Sequence, residues 1–494
     1  MTMKKRSKRT AVLSAVFTFL LIPSVFAAEA MPIDLQTAID KAFASHADIK
    51  KAEYATDAAR ANYNAARESY GPAVTFSHSS ARGGYWDEVV PGPNPKQIGN
   101  SYSNGLNLTV PIYNGTLNAT EKKAKVGYQS SVLGEELAFI KLKQTTTDAY
   151  YALLAAKDAQ QVSEQSVKAL EDHLKNVQAQ YDVGVVAKVD LLRSEVELTS
   201  ARQSLIKAEN AYKIAEANLD NIMGIPQDTL LDPKEALNYT AYDATLPACI
   251  DRALEHRLDL QQSRLQVKAA EAALNSAKAG WQPSVTGVAS NSWSGSQWPG
   301  NDNEKWGVGV KVSMDVFDSG VTKSKVAAAK ADLMQAKESY RQDTDHVRLD
   351  VRNSYYNLRE AEKRISTTQV TVSKAEEDYH IAQVRYEAGV GTNTDVLDAQ
   401  VALREARNNF NTALYDYNRS KSALQTATGV EARPSDYGWL SYGDRYDATK
   451  VSYQSAREAT QGDKAIAERV RELEKARTAR QKATRELTKD NAKQ

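Results

Sequence analysis

RYEAGVGTNTDVLD, Arg385–Asp398, occurs for the most part a second time, as QYDVGVVAKVDLLR, Gln180–Arg193. Tyr181 answers Tyr386, Gly184 answers Gly389, Asp190 answers Asp395 and Leu192 answers Leu397, each 205 residues apart (386 − 181). In both copies a glycine and β-branched residues interrupt two long stretches of helical composition. Glycine is the usual residue just past a helix end, and aspartate is favoured where the next helix begins. Each copy is therefore expected to be the tip of a helical hairpin, about 180–193 and about 385–398.

The duplication extends to most of the chain. LQTAIDKAFASHADI from Leu35 matches LPACIDRALEHRLDL from Leu246, at an offset of 211 (250 − 39) that still holds at Pro72 and Pro283. From Tyr150-Tyr151 and Tyr355-Tyr356 to Gly224 and Gly429 the offset is 205. The length change is confined to one interval after the first proline, which marks a tolerant loop region. The chain is two copies of one unit, with a first repeat at 28–230, a second at 231–430 and a C-terminal segment at 431–494.

Each unit is expected to start with a helix, Leu35 to Ser69 and Leu246 to Lys278. Gly71-Pro72 and Gly280-Trp281-Gln282-Pro283 end it, because proline cannot continue a helix and pushes its predecessor to extended geometry. Alternating segments follow at about 73–81, 103–112, 284–293 and 305–316. In Trp306-Gly307-Val308-Gly309-Val310-Lys311-Val312 every second residue is apolar. VVPGPNPKQIGN and SGSQWPGNDNEK separate the paired strands as exposed loops. Then Thr116 to Val183, without proline, would span about 100 Å as one helix at 1.5 Å per residue. Lys323 to Ala388 behaves alike, and return helices are expected over Asp190 to Met223 and Asp395 to Thr428. Helices of this length need a packed partner, and alanine at many seam positions permits close approach.

The alternation alone fits either a soluble hairpin pair or strands of a membrane barrel. In lipid, four strands can neither leave edges unpaired nor close a barrel of at least about eight strands. A membrane role therefore requires several chains to share one barrel, and three would supply 12 strands. Trp86, Trp281, Trp293, Trp298 and Trp306 cluster around these segments, as an interfacial girdle or as hairpin packing.

Lys and Arg number 63 against 62 Asp and Glu, so no bulk attraction to nucleic acid is indicated. Cys249 is the single cysteine, which excludes a disulfide framework and a thiolate metal site. His46, His78, His173, His256, His346 and His380 show no ligand spacing, and no nucleophile elbow or phosphate loop is present. No cofactor, no metal and no enzymatic activity are expected. MTMKKRSKR, the apolar run Ala11 to Ile22 and Val25-Phe26-Ala27 form a signal peptide, 1–27, with cleavage near Ala27 or Ala28. Its apolar run is too short to span a bilayer, and no run elsewhere is long enough. After Pro434 a Tyr-rich segment leads to RVRELEKARTARQKATRELTKD, expected to be a charged helical tail that decorates the surface or frays.

The signal peptide, the duplicated helix–strand–strand–helix–helix unit and the Gly-Val…Asp-x-Leu tip together resemble TolC-type outer-membrane efflux channels, over about Leu35 to Gly429. The resemblance implies a mainly α fold with a small β part. Long coiled-coil hairpins would form an α-barrel across the periplasm, and the four strands would join a trimeric 12-stranded β-barrel in outer-membrane lipid. It implies a passive homotrimeric exit duct that works with a periplasmic adaptor and an inner-membrane pump or ABC transporter, in drug efflux or type I secretion. It also implies roles at the tips. Asp395 and Asp398 match the aspartates that ring the aperture, and Asp190 and Tyr386 match positions that link hairpins when the aperture is closed. Gly184-Val185 and Gly389-Val390 match the tips that adaptors grip. Gly391 stands where some members carry an arginine, which puts one closing link in doubt.

The residues themselves allow plainer roles. Asp190 and Asp395 can be helix caps and the glycines C-terminal caps, whereas Asp398 lies one turn inside its helix, on the face of Asp395. Its first-copy counterpart is Arg193, so the acidic pair belongs to the second tip alone. Carboxylates converging from three chains would attract cations and raise one another's pKa. The rival reading is a soluble periplasmic coiled-coil scaffold or adaptor without a pore.

Overall fold

The computed structural model describes residues 30–86, 96–429, 465–480 and 482. A short strand β1 (Met31–Ile33) precedes helices α1 (Leu35–Ser45) and α2 (Ala47–Glu68), strands β2 (Ala73–Trp86) and β3 (Lys96–Tyr113), and helices α3 (Gly115–Asp182) and α4 (Lys188–Met223). The second copy repeats the order: β4 (Leu231–Pro233), α5 (Leu246–His256), α6 (Leu258–Lys278), β5 (Ser284–Gly295), β6 (Asn303–Ser313), α7 (Val321–Glu387) and α8 (Asn393–Ala427). The helix–strand–strand–helix–helix unit is thus present twice, and β1 pairs with β4 in parallel, Met31 opposite Leu231.

The first helix of each unit is not continuous. His46 (ψ 133°) and Arg257 (ψ 122°) are extended, and each is at once the last cap of one helix and the first cap of the next. The His46 ring nitrogen accepts the Asp48 N–H at 3.2 Å, and Arg257 holds Asp259 at 2.6 Å. At His46 a side-chain cap accompanies the break, whereas Arg257 makes no side-chain cap and its extended backbone is accompanied by the ion pair to Asp259, so neither break needs a glycine or proline.

The long helices pair as two hairpins. Tyr150, Leu153, Leu219 and Met223 of the first pack with Val351, Leu358, Tyr417 and Leu424 of the second in one buried cluster. Equivalent tyrosines fasten the segment between the copies: Tyr212 donates to Leu231 O at 2.9 Å and Tyr417 donates to Thr240 O. No described helix is long and apolar enough to cross a membrane.

The four longer strands form an antiparallel sheet in the order β2-β3-β5-β6. β2, β3 and β5 run past the expected ends, while β6 stops at Ser313, three residues short of the expected 316. Leu106 lies opposite Phe76 and Asn291, and Ala289 opposite Leu108 and Val308. Side chains alternate across a sheet, so this register puts Val74, Phe76, Leu106, Leu108, Val308, Val310 and Val312 on one face. Thr75, Ser77, Asn107, Thr109, Ser290 and Lys311 share the other. The apolar face is uncovered: Trp306 is 79% exposed and Val308 78%. β2 and β6 each have a free edge among the described residues.

The C-terminal tail departs from expectation. Residues 465–480 form a helix, and Ile466, Val470 and Leu473 are buried against Tyr128, Val132, Leu133, Leu258 and Leu265. These three apolar residues lie on one helix face and anchor the segment, so it neither frays nor merely decorates. Arg477 (7% exposed) lies 3.1 Å from the carboxylate of Glu135 (4% exposed) and 2.8 Å from Asp57. The Tyr-rich segment to Tyr453, residues 1–29 and most of the first strand loop lie outside the described residues.

Candidate functional site

Both hairpin turns are built alike. At Gly184 φ is +78° and at Gly389 +72°, the left-handed region that costs an L side chain about 1–2 kcal/mol. Gly184 N–H donates to Tyr181 O and Val185 N–H to Gln180 O, each at 2.9 Å. In the second tip Gly389 bonds Tyr386 O at 3.0 Å and Val390 bonds Arg385 O at 2.9 Å. This pair of reversed bonds is the Schellman closure, which satisfies carbonyls that a helix end leaves free. The residue after the glycine commonly packs back on its helix. Here it does not: Val185 is 71% and Val390 68% exposed, with Val183, Val189 and Leu192 exposed beside them.

The expected capping aspartates sit at the third helical position instead of the cap. Thr392 caps α8. Its hydroxyl accepts from Asp395 N–H at 3.1 Å, and the Asp395 carboxylate accepts Thr392 N–H at 3.0 Å, a reciprocal capping box. Those bonds from Thr392 hold the Asp395 carboxyl below the usual carboxylate range. Ala187 caps α4 with no side-chain bond, and Asp190 occupies the third position there. Asp398 is exposed, one turn beyond Asp395, with no hydrogen bond or ion pair among the described residues. The mutual rise expected of ringed carboxylates is a property of an assembly; within one chain the cap sets the direction for Asp395.

Tyr386 is buried, and its hydroxyl has no hydrogen-bond partner among the described residues. Burial, then the nearby Asp190 charge, push the phenol pKa up, so it is neutral. Asp190 and Tyr386 are therefore neighbours across the two hairpins without a hydrogen bond between them.

What does join the hairpins is a buried polar network that the sequence did not single out. The Asn393 amide lies 2.7 Å from His173 Nε2, donates to Asp190 O at 2.9 Å and meets Ser194 Oγ at 3.1 Å. With the amide N–H groups turned to α4, its oxygen faces the ring, so Nε2 carries the imidazole proton. The His173 and Tyr386 rings are 5.3 Å apart. Burial lowers the His173 pKa, keeping it neutral, against the opposing pull of its Asn393 bond. Nearer the surface, Arg193 donates to Thr394 Oγ1 at 2.9 Å. Thus α3, α4, α7 and α8 are tied together at the tip, while Asp395, Asp398, Val185 and Val390 face outward. Gly391 folds tightly on the end of α7: its N–H donates to Arg385 O at 2.9 Å, and a Cβ there would lie 3.0 Å from Tyr386 N. An arginine at this position would have to move the turn.

No group of three or more potential metal-ligating side chains occurs among the described residues.

The described residues thus form a long duplicated hairpin scaffold bearing a sheet with an uncovered apolar face. The sequence model of the family described as outer membrane efflux protein matches residues 38–225 and 249–430, so the chain belongs to that family. It is 25% identical over 302 residues to outer membrane protein TolC of Escherichia coli (strain K12), covering 58% of this chain and 60% of that one. It is 25% identical over 393 residues to a probable efflux pump outer membrane protein, TtgC of Pseudomonas putida, covering 76% and 78%. The CmeC outer membrane channel of Campylobacter jejuni superposes with a TM-score of 0.72 at 19% identity, over 80% of this chain and 85% of that one.

Proposed function

We propose that three copies of this chain form a passive exit duct, a shared β-barrel in the outer membrane continued by an α-helical tunnel into the periplasm. The observation that carries this reading is the open sheet. It exposes an apolar face, and its outer edges lack partners among the described residues, which lipid does not tolerate in a single chain. Strands of 12 and 11 residues in the second hairpin suit a tilted membrane crossing. Phe76 and Trp306 stand at one end of the apolar face, and Tyr113, Trp281 and Phe317 are exposed near the other. Such aromatics favour the two membrane interfaces. A soluble scaffold would leave this face in water.

The tunnel half also offers surface to further copies. On α7 the exposed Leu349, Tyr356, Val370 and Val384 fall at multiples of seven, and α4 exposes Val189 and Val196 at the same spacing. Stripes of this period pack against another helix. At the periplasmic end, Asp395 and Asp398 line the aperture and set its cation preference, and Asp190 and Tyr386 contribute to its closed state. The outward valines beside Gly184 and Gly389 meet a periplasmic adaptor, itself coupled to an inner-membrane pump or ABC transporter. Residues 1–27 are the export signal, cleaved near Ala27.

Purified protein in a planar bilayer tests this. The expected result is ion-conducting trimers, with cation preference and block by divalent or trivalent cations reduced in the Asp395→Ala, Asp398→Ala double variant. A soluble, non-conducting monomer would overturn the reading.

A further inference from the structure

The polar face of the sheet carries charge of one sign. Lys305 lies opposite Ser292 and Lys311 opposite Thr286, in register with the serines, threonines and glycines of that face. They are the two charged residues on it among the described strand residues. Neither side chain makes a hydrogen bond or ion pair among the described residues, and both are exposed. The carboxylates nearest Lys305 in sequence, Glu304 and Asp302, are engaged elsewhere. Glu304, one residue away and so on the opposite face, accepts from Asn291 at 3.0 Å. Asp302, in the turn, accepts from Ser296 N–H at 3.2 Å. In a barrel with apolar residues outward, the polar face lines the lumen.

We infer that the outer-membrane lumen of the duct is a cationic vestibule in which Lys305 and Lys311 attract and hold the anionic groups of passing solutes. This rests on the trimeric channel reading, under which six ammonium groups, two per chain, share one lumen. Low-dielectric walls focus such a field, and rings of lysine favour anions in pores. Six residue steps from Lys305 to Lys311 span about 20 Å along the strand, so the lysines form two tiers. At the far end of the duct, Asp395 and Asp398 carry the opposite sign. Helices about 100 Å long separate the two regions, many times the roughly 10 Å Debye length at 0.1 M salt. The two ends therefore act as independent charge filters in series, one for each sign.

The test uses the full protein in a planar bilayer under a KCl gradient, with inorganic tripolyphosphate added to each compartment in turn. Wild type is expected to be blocked from the compartment facing the barrel. In the Lys305→Ser, Lys311→Ser double variant the half-blocking concentration should rise on the order of tenfold at ~0.1 M salt. Its reversal potential should move toward the potassium equilibrium potential. The Lys305→Arg, Lys311→Arg variant keeps the charge and should keep the block. Unchanged block and reversal potential in a conducting serine variant would overturn the inference. A wild-type protein that conducts no ions would overturn the channel reading beneath it.

Discussion

Replacing Asn393 with alanine should loosen the tip while leaving the rest of each hairpin in place. Asn393 is buried at the start of α8 and is joined to His173 on α3 and to Asp190 and Ser194 on α4, at 2.7, 2.9 and 3.1 Å. The change removes two strong bonds between the hairpins, each worth about 1 kcal/mol net. It also leaves the His173 N–H buried without a partner, at about 1–3 kcal/mol. The sum is about 3–5 kcal/mol, local to the tip, because the capping box of Thr392 and Asp395 survives. Hydrogen exchange of the whole protein reads it directly. Protection at 180–193 and 385–398 should fall by about two orders of magnitude or more, at roughly 1.4 kcal/mol per tenfold. Amides around Tyr150 and Tyr417, in the large shared core, should be unaffected. Tip protection equal to wild type would refute the assignment of hairpin coupling to this network, and a uniform loss along α3 would show a global effect instead.

The same network gives a pH dependence. Burial depresses the folded-state pKa of His173 below its ordinary 6.5, so tip stability is full above about pH 6.5 and is lost as pH falls below it, because the opened state takes up the proton first. Tip exchange measured between pH 7.5 and 5.5 should show this, and His173→Gln should flatten the profile. Gly389→Ala meets no neighbouring atom within 4 Å, so its cost should be only the left-handed backbone, about 1–2 kcal/mol. That should appear as increased exchange in the last turn of α7. Arg477→Ala leaves the buried Glu135 with Arg480 alone at 3.3 Å. Since breaking a buried ion pair typically costs about 3–5 kcal/mol, thermal unfolding should shift down by several degrees, and Glu135→Gln in the same chain should recover part of it.

Glycine, proline and periodicity carried most of the fold in legible form. The hairpin tips, the paired strands and the repeat all follow from residues whose backbone preferences are strong. The breaks at His46 and Arg257 carry no glycine or proline, only a histidine cap at one and an arginine–aspartate pair at the other, so no strong backbone preference marks them. The docking of the C-terminal helix is not legible in its sequence because Ile466, Val470 and Leu473 are its few anchors among many charges. Asp398 was visible as an aspartate without a capping role. The His173–Asn393–Ser194 network was not, for a definite reason. Its members face Asp378, Lys188 and Ala399 in the other copy, and comparing copies draws attention to what they share. The apolar part of the tip uses equivalent positions, Val177 with Ala382 and Leu191 with Val396, whereas the polar network uses positions at which the two copies differ.

The docked C-terminal helix also sets an order of events. Arg477 donates to Glu53 O across 424 residues of chain. The groove it fills, on Tyr128, Leu133 and Leu265, exists as soon as α2, α3 and α6 have come together, yet its occupant lies far beyond all three along the chain. Long-range contacts of this kind close late. Until they do, an apolar groove and the buried Glu135 carboxylate stand open to water, a period of exposure that no earlier part of the chain can shorten.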